Sequence, residues 1–369
     1  MGFEQRKFNQ ENGREEKNRR SPFDNLRMTA DCPLQTVRAL IIIILVITVS
    51  FSGTAYAQGN LFQVLGGQRA GTSSFPFLKI GVGARAAGMG EAFVGIADDA
   101  SALYWNPAGI AQTGGAEFIG THTAWPADIN YEFLGYVQPV GRNIYLGASA
   151  GFLHMDPMEV RTVYNPHGTG EYFNYSDMVL GASFAMRMTD RFSFGVTLKH
   201  VQENLAGLIM DGQMLDLGTF YWTGFKSLRF SVALTNFGPQ VAPAGTYEKP
   251  LIAGGTGEFK YSEFSPPTVF RIGSAMNLIE TGAHVLTGSI QLNHPVDNAE
   301  NFVAGGEYKF MDMLALRGGY KLNADEGGLA FGAGVEIPMI GMEKFRFDYA
   351  YTDFGRLTSV HRFAIGFEL

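Results

Sequence analysis

The sequence predicts an all-β protein, a transmembrane antiparallel β-barrel of about 14 strands with an amino-terminal plug segment. Three observations predict this class. Charged residues are only 17% of the 369 residues, while 13% are aromatic and 47 are glycines, unlike the balance in compact soluble domains. Apolar and polar side chains alternate with a period of two along many segments, as they do in strands with two unlike faces. These segments number fourteen, and bacterial barrels have even strand counts.

The amino terminus carries an export signal, which we exclude from the fold. Residues 39–49 read ALIIIILVITV without a charge, basic residues precede this run, and Ala55-Tyr56-Ala57 follows it. This order is typical of a signal peptide that is cleaved after Ala57, and an uncleaved membrane anchor is the alternative. We therefore expect residues 1–57 to be a signal peptide with an extended n-region, with Met28 as an alternative start of translation.

The expected mature chain, residues 58–369, has the composition of an exported protein. It contains no cysteine, because the one cysteine is Cys32. No run of 18 apolar residues follows Ala57, so a helical membrane protein is excluded. The net charge of −7 argues against a nucleic-acid partner. A soluble β-sandwich is the alternative to a barrel, but it would need fewer strands and no aromatic residues near strand ends.

Alternation justifies the individual strands. Residues 191–199, RFSFGVTLK, put four apolar side chains on one face and Ser, Gly, Thr and Lys on the other. The same pattern recurs over residues 344–351 and 362–369. Each such segment is long enough to cross an outer membrane at a tilt. The predicted strands are residues 117–125, 130–139, 143–155, 174–187, 191–203, 212–223, 227–236, 266–276, 282–293, 299–310, 312–322, 327–337, 343–352 and 358–369.

The connections between these segments agree with a barrel. Short connections lie near Gly141, Thr189, Gly224 and Met311, all on the side to which the chain ends belong. The long connections, about 156–173 and 237–265, both fall on the opposite side, which we expect to face outward. The last strand stops at the chain end, so it has an unpaired edge unless it closes on the first strand. The alternation of connection lengths therefore predicts closure.

A different kind of segment precedes the barrel. We expect residues 58–116 to form an amino-terminal periplasmic segment and plug, and residues 117–369 to form the barrel. The carboxylates of Asp98 and Asp99 have two interpretations: they cap and anchor the plug, or they contact a ligand. Inside a pore, the carboxylates of this segment would meet inward basic residues. These basic residues are Lys199, Arg271, Arg317, Arg346 and Arg362.

Two motifs in this segment, GARAAGMGEAF and ADDASALYWNPAG within Leu78–Ala111, closely resemble the amino-terminal signature of the PorV/PorQ family of outer-membrane proteins. They resemble the hatch of FadL-type fatty-acid transporters more distantly. Residues Pro266–Gly273, PPTVFRIG, resemble that family's strand entry. The resemblance implies a FadL-like fourteen-stranded barrel in the cell outer membrane. The plug-motif residues are Gly83, Arg85, Gly88, Gly90, Asp98, Asp99, Asn106 and Pro107.

The resemblance also implies work in type IX secretion. PorV-like members collect exported proteins by their carboxyl-terminal signal domains, and PorQ-like members tether a partner at the cell surface; the sequence leaves both open. The first hypothesis is a non-enzymatic protein-handling barrel, whose partners are outer-membrane lipid and secreted-protein signal domains or other secretion components. Binding residues usually lie in large loops on a rigid scaffold. The candidate loop contacts are Arg161, Tyr164, Tyr172, Tyr247 and Tyr261.

The second hypothesis is a FadL-like channel for hydrophobic small molecules, with such a ligand or detergent in the lumen. It requires an apolar pocket above the plug. Residues Ala92, Phe93, Tyr104 and Trp105 are the candidates to line it, although they would equally serve to pack the plug.

Enzyme motifs are weak. Residues 147–151 fit G-x-S-x-G, but a nucleophile elbow needs a strand, a sharp turn and a helix, whereas here a strand continues. The seven histidines lack ligand spacing. We therefore expect no catalytic site, no cofactor and no metal.

Overall fold

The fold is a closed β-barrel. The computed structural model describes residues 70–250, 255–323, 328–339 and 342–369. In this part of the chain, fourteen antiparallel strands close into one barrel, because the first strand pairs with both the second and the last. No helix among these residues is long and apolar enough to cross a membrane. The predicted signal peptide, residues 1–57, and the beginning of the predicted plug, residues 58–69, lie outside the described residues.

The barrel has the predicted strand number, and closure satisfies the backbone hydrogen bonds that an open edge would expose to lipid. Two small two-stranded hairpins lie outside it. The strands are β1 Glu117–Trp125, β2 Ile129–Val140, β3 Ile144–Met155, β4 Met158–Glu159, β5 Tyr172–Phe173, β6 Tyr175–Arg187, β7 Phe192–Leu205, β8 Leu208–Trp222, β9 Arg229–Phe237, β10 Thr246–Pro250, β11 Thr256–Lys260, β12 Val269–Thr281, β13 His284–Pro295, β14 Asn301–Phe310, β15 Leu314–Leu322, β16 Leu329–Met339, β17 Met342–Asp353 and β18 Ser359–Glu368.

The faces of the strands follow the alternation in the sequence. On β7, Ser193, Thr197 and Lys199 are buried, whereas Leu198 between them is 43% exposed. On β18, Arg362 is 1% exposed and Phe363 is 40% exposed. Polar side chains therefore point into the barrel and apolar ones point outward, where the solvent of an outer-membrane barrel is lipid.

The predicted strand boundaries differ most from the structure at the β7–β8 turn and at strand β12. Strands β7 and β8 continue to Leu205 and Leu208 and are joined by Ala206 and Gly207, whose φ angles are 51° and 87°. Two consecutive positive φ angles are typical of a two-residue hairpin turn, so the ladder runs further than the predicted ends at 203 and 212. Strand β12 begins at Val269 instead of Pro266, because proline cannot donate a ladder hydrogen bond.

The two long connections lie at one rim, as predicted. Each carries one of the small hairpins: β4 pairs with β5, and β10 pairs with β11. We call this the long-loop rim, and we call the opposite rim, where β1 begins and β18 ends, the terminal rim.

Residues 70–116, here called the inner segment, lie inside the barrel. They contain 3-10 helices at Pro76–Lys79 and Pro107–Gln112, and short α-helices at Ala84–Gly88 (α1) and Ala102–Trp105 (α2). Helix α1 packs on β15–β18, and the second 3-10 helix packs on β3 and β6–β8. The segment begins at the long-loop rim, where Ser73 contacts Asp297, and it joins β1 at the terminal rim. Its apolar side chains, such as Phe75, Phe93 and Trp105, form the main hydrophobic core.

Candidate functional site

Close backbone contacts join the inner segment to the barrel wall. A Cβ atom built on Gly88 would lie 2.9 Å from Gly332 Cα, and one on Gly319 would overlap the backbone of Met89. Gly83 and Gly90 have φ angles of 87° and 65°, which favour glycine. Three of the predicted motif glycines therefore serve to turn the segment or bring it against the wall.

Arg85 is the centre of the polar contacts. Its Nε and Nη2 donate to the two carboxylate oxygens of Glu307 on β14, both at 2.9 Å. Its Nη1 donates to Asp98 at 2.5 Å and to Asp99 at 2.9 Å. Although burial disfavours its charge, the nearby Asp98, Glu307 and Asp99 raise the pKa of Arg85 well above its ordinary value. One buried guanidinium thus fixes two carboxylates of its own segment and one of the wall.

Asp99 acts as an anchor and as a local cap. Its Oδ1 accepts the backbone N–H of Ser101 at 2.9 Å, and it also accepts the Ser101 hydroxyl. Burial alone would raise the pKa of Asp99, but the charges of Arg346 and Arg85 and the Ser101 hydrogen bond hold this pKa well below its ordinary value. The side chain of Asp98 is 43% exposed. These contacts fit the capping and anchoring interpretation of the acidic pair.

Two of the five inward basic residues predicted to meet carboxylates of the inner segment do so. Arg346 lies 3.4 Å from Asp99, and Arg362 lies 3.8 Å from Glu91. The expectation for the other three was wrong, because side chains of the barrel wall hold them. Lys199 pairs with Asp216 at 2.6 Å, Arg271 donates to Thr235 at 2.6 Å, and Arg317 pairs with Glu307 and Asp348.

Asn106 and Pro107 hold the carboxyl-terminal part of the inner segment. Asn106 Nδ2 donates to the carbonyl of Thr219 on β8 at 3.1 Å, and its Oδ1 accepts the N–H of Ala108. Asn106 therefore caps the 3-10 helix that Pro107 opens. A Cβ built on Gly195 of β7 would overlap the backbone of Pro107. The motif NPAG thus combines a cap, a fixed φ at the first helical position and a close wall contact.

A second ion pair ties the inner segment to β15. Glu91 accepts from Lys321 at 2.6 Å. Burial would raise the pKa of Glu91, but Lys321 and Arg362 lower it. Sequence analysis missed this pair and also missed Glu307. The alternation of polar and apolar residues along β14 could have identified Glu307, because this pattern places Glu307 on the inward face and Tyr308 on the outward face.

The side chains proposed for an apolar pocket are packed instead. Ala92 and Phe93 are fully buried, Trp105 is 2% exposed, and Tyr104 is 6% exposed. Trp105 donates to the Val82 carbonyl at 2.8 Å. Near the long-loop rim, Phe75 and Phe77 of the inner segment belong to the same core. The apolar volume at that end therefore contains phenylalanines of the chain itself.

A polar cavity of about 250 Å³ lies at the terminal rim. Basic and acidic side chains line this cavity together. The basic residues are Arg85, Lys309 and Arg346, and the acidic ones are Asp98, Glu117 and Glu336. Lys309 and Glu336 pair at 3.0 Å, and Arg346 and Glu117 pair at 3.1 Å. This cavity is thus the solvent-facing end of the anchoring network.

The predicted loop contacts lie in the two connections of the long-loop rim. Tyr164 is 94% exposed near the middle of its connection, beside the equally exposed Val163, and Tyr172 is 66% exposed on β5. Arg161 is exposed in the same connection. In the other connection, the rings of Tyr247 and Tyr261 lie against each other at a tilt of 35°, with their centroids 5.2 Å apart. The structure brings these last two together.

The G-x-S-x-G residues lie within β3, which continues through them as predicted. Within the described ranges, no group of three or more His, Cys, Asp or Glu side chains could hold a metal ion.

Residues 64–238 match the family described as type IX secretion system protein PorV. This match confirms the resemblance seen in the amino-terminal motifs. It covers the inner segment and the first seven strands of the barrel. No curated protein sequence matches the chain.

Solved structures share the fold. The Ralstonia pickettii toluene transporter TbuX has a TM-score of 0.53 at 13% identity, over 78% of this chain and 97% of its own. The Pseudomonas putida toluene transporter TodX has a TM-score of 0.53 at 15% identity, over 78% and 96%. A Pseudomonas aeruginosa FadL homologue has a TM-score of 0.51 at 12% identity, over 78% and 98%. The closed barrel, its apolar outer face and the family match agree with the predicted outer-membrane location.

Proposed function

We propose, starting from the match of residues 64–238 to the PorV family, that this outer-membrane barrel is a non-enzymatic protein-handling component of type IX secretion. It binds secreted proteins through their signal domains, or binds other secretion components, at the long-loop rim. The observation that carries this proposal is the connection between β3 and β6. Its hairpin presents Val163 and Tyr164 with 94% of each residue exposed, and exposed apolar residues at such a position serve contact with a partner.

The inner segment is a plug in this proposal. Ion pairs at Arg85 and Glu91, close backbone contacts at Gly88 and Gly319, and a buried aromatic core fill the lumen. A filled lumen suits a barrel that works through its surface. Residues 70–116 therefore support the loops without forming a path through the membrane.

The long-loop rim faces the outside of the cell in this proposal. The number of strands supports this orientation, because with fourteen strands the beginning of β1 and the end of β18 lie at the same rim. The short turns also lie at this rim, and in bacterial barrels the short turns are periplasmic. The exposed tyrosines are thus available to partners at the cell surface.

Capture of secreted proteins tests the proposal. The tagged barrel is purified from its host in mild detergent, and the co-purifying proteins are identified with and without the substitution Tyr164→Ser. We expect proteins with a carboxyl-terminal signal domain, or other secretion components, to co-purify. We expect the substitution to reduce their yield by at least about tenfold, as for a hot-spot residue of an interface.

The matched control is Leu357→Ser, since Leu357 is 55% exposed in another connection of the same rim. This control should leave the yield unchanged. Equal capture by wild type and Tyr164→Ser would contradict the assignment of the loop, and capture of no secretion protein by the wild type would contradict the function.

A FadL-like channel for hydrophobic small molecules is the second candidate function. The fold shared with barrels that are described as toluene transporters favours it. The packing of Phe75 and Phe77 in the apolar end of the lumen argues against an open path. Lipid or detergent density in the lumen of an experimental structure would favour the channel.

A further inference from the structure

One buried carboxylate of the barrel has no cation. Seven carboxylates are buried among the described residues. Six of them pair with a lysine or arginine at distances of 2.6 to 3.1 Å; these are Asp99, Glu117, Asp216, Asp297, Glu307 and Asp348. The seventh is Asp177 on β6, which is only 3% exposed and has no ion pair in the described part of the chain.

Asp177 also has an unused acceptor. Its Oδ2 accepts the Tyr175 hydroxyl at 2.6 Å, whereas its Oδ1 is buried and has no hydrogen-bond partner among the described residues. A carboxylate that is buried without a cation is costly, because its desolvation is not repaid. A donor that reaches Oδ1 would therefore be bound favourably.

A second polar atom without a partner lies at the same level of the barrel. Tyr131 on β2 is opposite Leu153 on β3, and Leu153 is opposite Asp177. The Tyr131 hydroxyl is buried and has no hydrogen-bond partner within the described ranges. A Cβ atom built on Gly151 of β3 would lie 2.7 Å from this hydroxyl and 2.8 Å from Val179 of β6. The hydroxyl therefore reaches across β3 toward the strand of Asp177.

Another carboxylate stands beside Asp177. Glu203 on β7 is directly opposite Asp177 in the ladder, and like charges in this position repel each other. Glu203 is partly exposed and has no ion pair among the described residues. The two side chains, here called the rim carboxylates, stand two ladder positions below the last β6–β7 pair at the long-loop rim. A group that approaches from this rim can therefore reach Glu203.

The inner segment covers the rim carboxylates in a strained conformation. Phe75 donates its backbone N–H to Glu203 at 3.2 Å, which is at the long end of the normal range. Its φ angle is 51°, a value that bulky residues rarely adopt. Strained backbone of this kind is found at ligand-binding and switch regions. A charged donor can therefore replace this N–H at Glu203.

The approach to the rim carboxylates is acidic. The connection that leads into β6 contains Asp156, Glu159 and Glu171 against the single cation Arg161. A surface of this charge attracts a basic partner and disfavours an acidic one. The charge around the site thus agrees with the missing cation within it.

We propose that Asp177 and Glu203 bind a basic side chain of the protein that the long-loop rim handles. An ammonium or guanidinium group from this partner donates to Asp177 Oδ1, to Glu203 and to the Tyr131 hydroxyl. Both groups suit the site, because each has several donors and no acceptor. The inference rests on the proposed function and names the chemistry by which the same rim recognises its protein partner.

Capture of secreted proteins by Asp177→Asn tests the site. We expect the yield of co-purified secretion proteins to fall at least about tenfold, as when one partner of a buried charge pair is removed. The thermal unfolding midpoint of the free barrel should rise by about 2 °C, because the amide removes an unpaired charge. A merely structural role predicts the opposite change in stability. Asp177→Lys supplies the cation from the chain itself, so it should also raise the midpoint and abolish capture.

Two controls accompany these variants. Asp177→Glu keeps the charge and should retain capture. Asp211→Asn should change neither measurement, because Asp211 is an exposed acid near the same β7–β8 turn and already accepts from Gln202 at 3.0 Å. If Asp177→Asn lacks the heat-dependent gel mobility of a folded barrel, Glu203→Gln takes its place with the same expectations.

Undiminished capture by Asp177→Asn or by Asp177→Lys overturns the inference, since Asp177 would then be kept neutral by a proton alone. Loss of capture in Asp177→Glu or in Asp211→Asn equal to that in Asp177→Asn also overturns it. Capture of no secretion protein by the wild type contradicts the proposed function instead, so the two failures are distinguishable.

Discussion

Replacing Arg85 with methionine should loosen the inner segment without opening the barrel. The substitution keeps the apolar stem but removes the guanidinium that holds Glu307, Asp98 and Asp99. Breaking a buried ion pair by removing one partner costs about 3–5 kcal/mol. The lower end applies here, because Arg317 still neutralises Glu307 and Arg346 still faces Asp99. We expect a loss of about 3 kcal/mol in the free energy that holds the segment, which is roughly a hundredfold in its equilibrium.

The measurement follows the segment and the barrel separately. Trp105 is 2% exposed within the segment, so its fluorescence reports release in urea when Trp125 and Trp222 are replaced by phenylalanine. Gel mobility with and without heating reports the folded barrel. We expect Arg85→Met to shift the fluorescence transition to lower urea and to leave the heat-dependent mobility unchanged. Arg85→Lys should fall between, since lysine keeps the charge but not the two-pronged contact with Glu307.

The control is Arg142→Met, an exposed arginine in the turn between β2 and β3. An Arg85→Met transition no different from that of this control would refute the view that the ion-pair network holds the segment. A simultaneous loss of the folded barrel would refute the independence of the two parts.

Three further predictions concern the same contacts. Because the pKa of Asp99 is lowered in the fold, its stabilisation is present above its unfolded pKa of about 3.9 and is lost as the pH falls through the lower folded value. The part of the Trp105 fluorescence change that depends on Asp99 should therefore occur below about pH 4, and Asp99→Asn should remove that part. Gly319→Ala should lower the free energy that holds the inner segment by about 2 kcal/mol in urea titrations, since the added methyl group meets the backbone of Met89. The neighbouring Gly318→Ala should leave this free energy unchanged, because there is open space around its Cβ. Lys199→Met should destabilise the barrel by about 3 kcal/mol in thermal unfolding by leaving Asp216 buried and unpaired, and a result within 1 kcal/mol of wild type would contradict the importance of this pair.

The barrel was predictable from the sequence because lipid imposes a simple rule on each strand. Outward positions at the depth of the lipid are apolar and inward positions can be polar, so the faces of β7 and β18 follow from a period of two. The strand number and the side of the long connections follow from the same count. The small hairpins within the long connections were not predicted, since they lie outside this constraint.

The partners of the inner segment were less predictable. The sequence indicated inward basic residues, but it gave no indication that Arg85, only 13 and 14 positions before Asp98 and Asp99, would bind both of them. A glycine-rich segment without regular repeats has no period from which to read such contacts. The wall acids Glu307 and Asp216 pair with Arg317 and Lys199, and which cation meets which acid depends on how the strands are staggered around the barrel.

The path of the inner segment constrains the order in which the molecule is assembled. Its described start lies at one rim, its end continues into β1 at the other, and β1 closes on β18. If β1 and β18 join around a core that is already in position, the packed chain need not pass along the lumen of a finished cylinder. We therefore expect the joining of this seam to be the last step of maturation, after the core has formed.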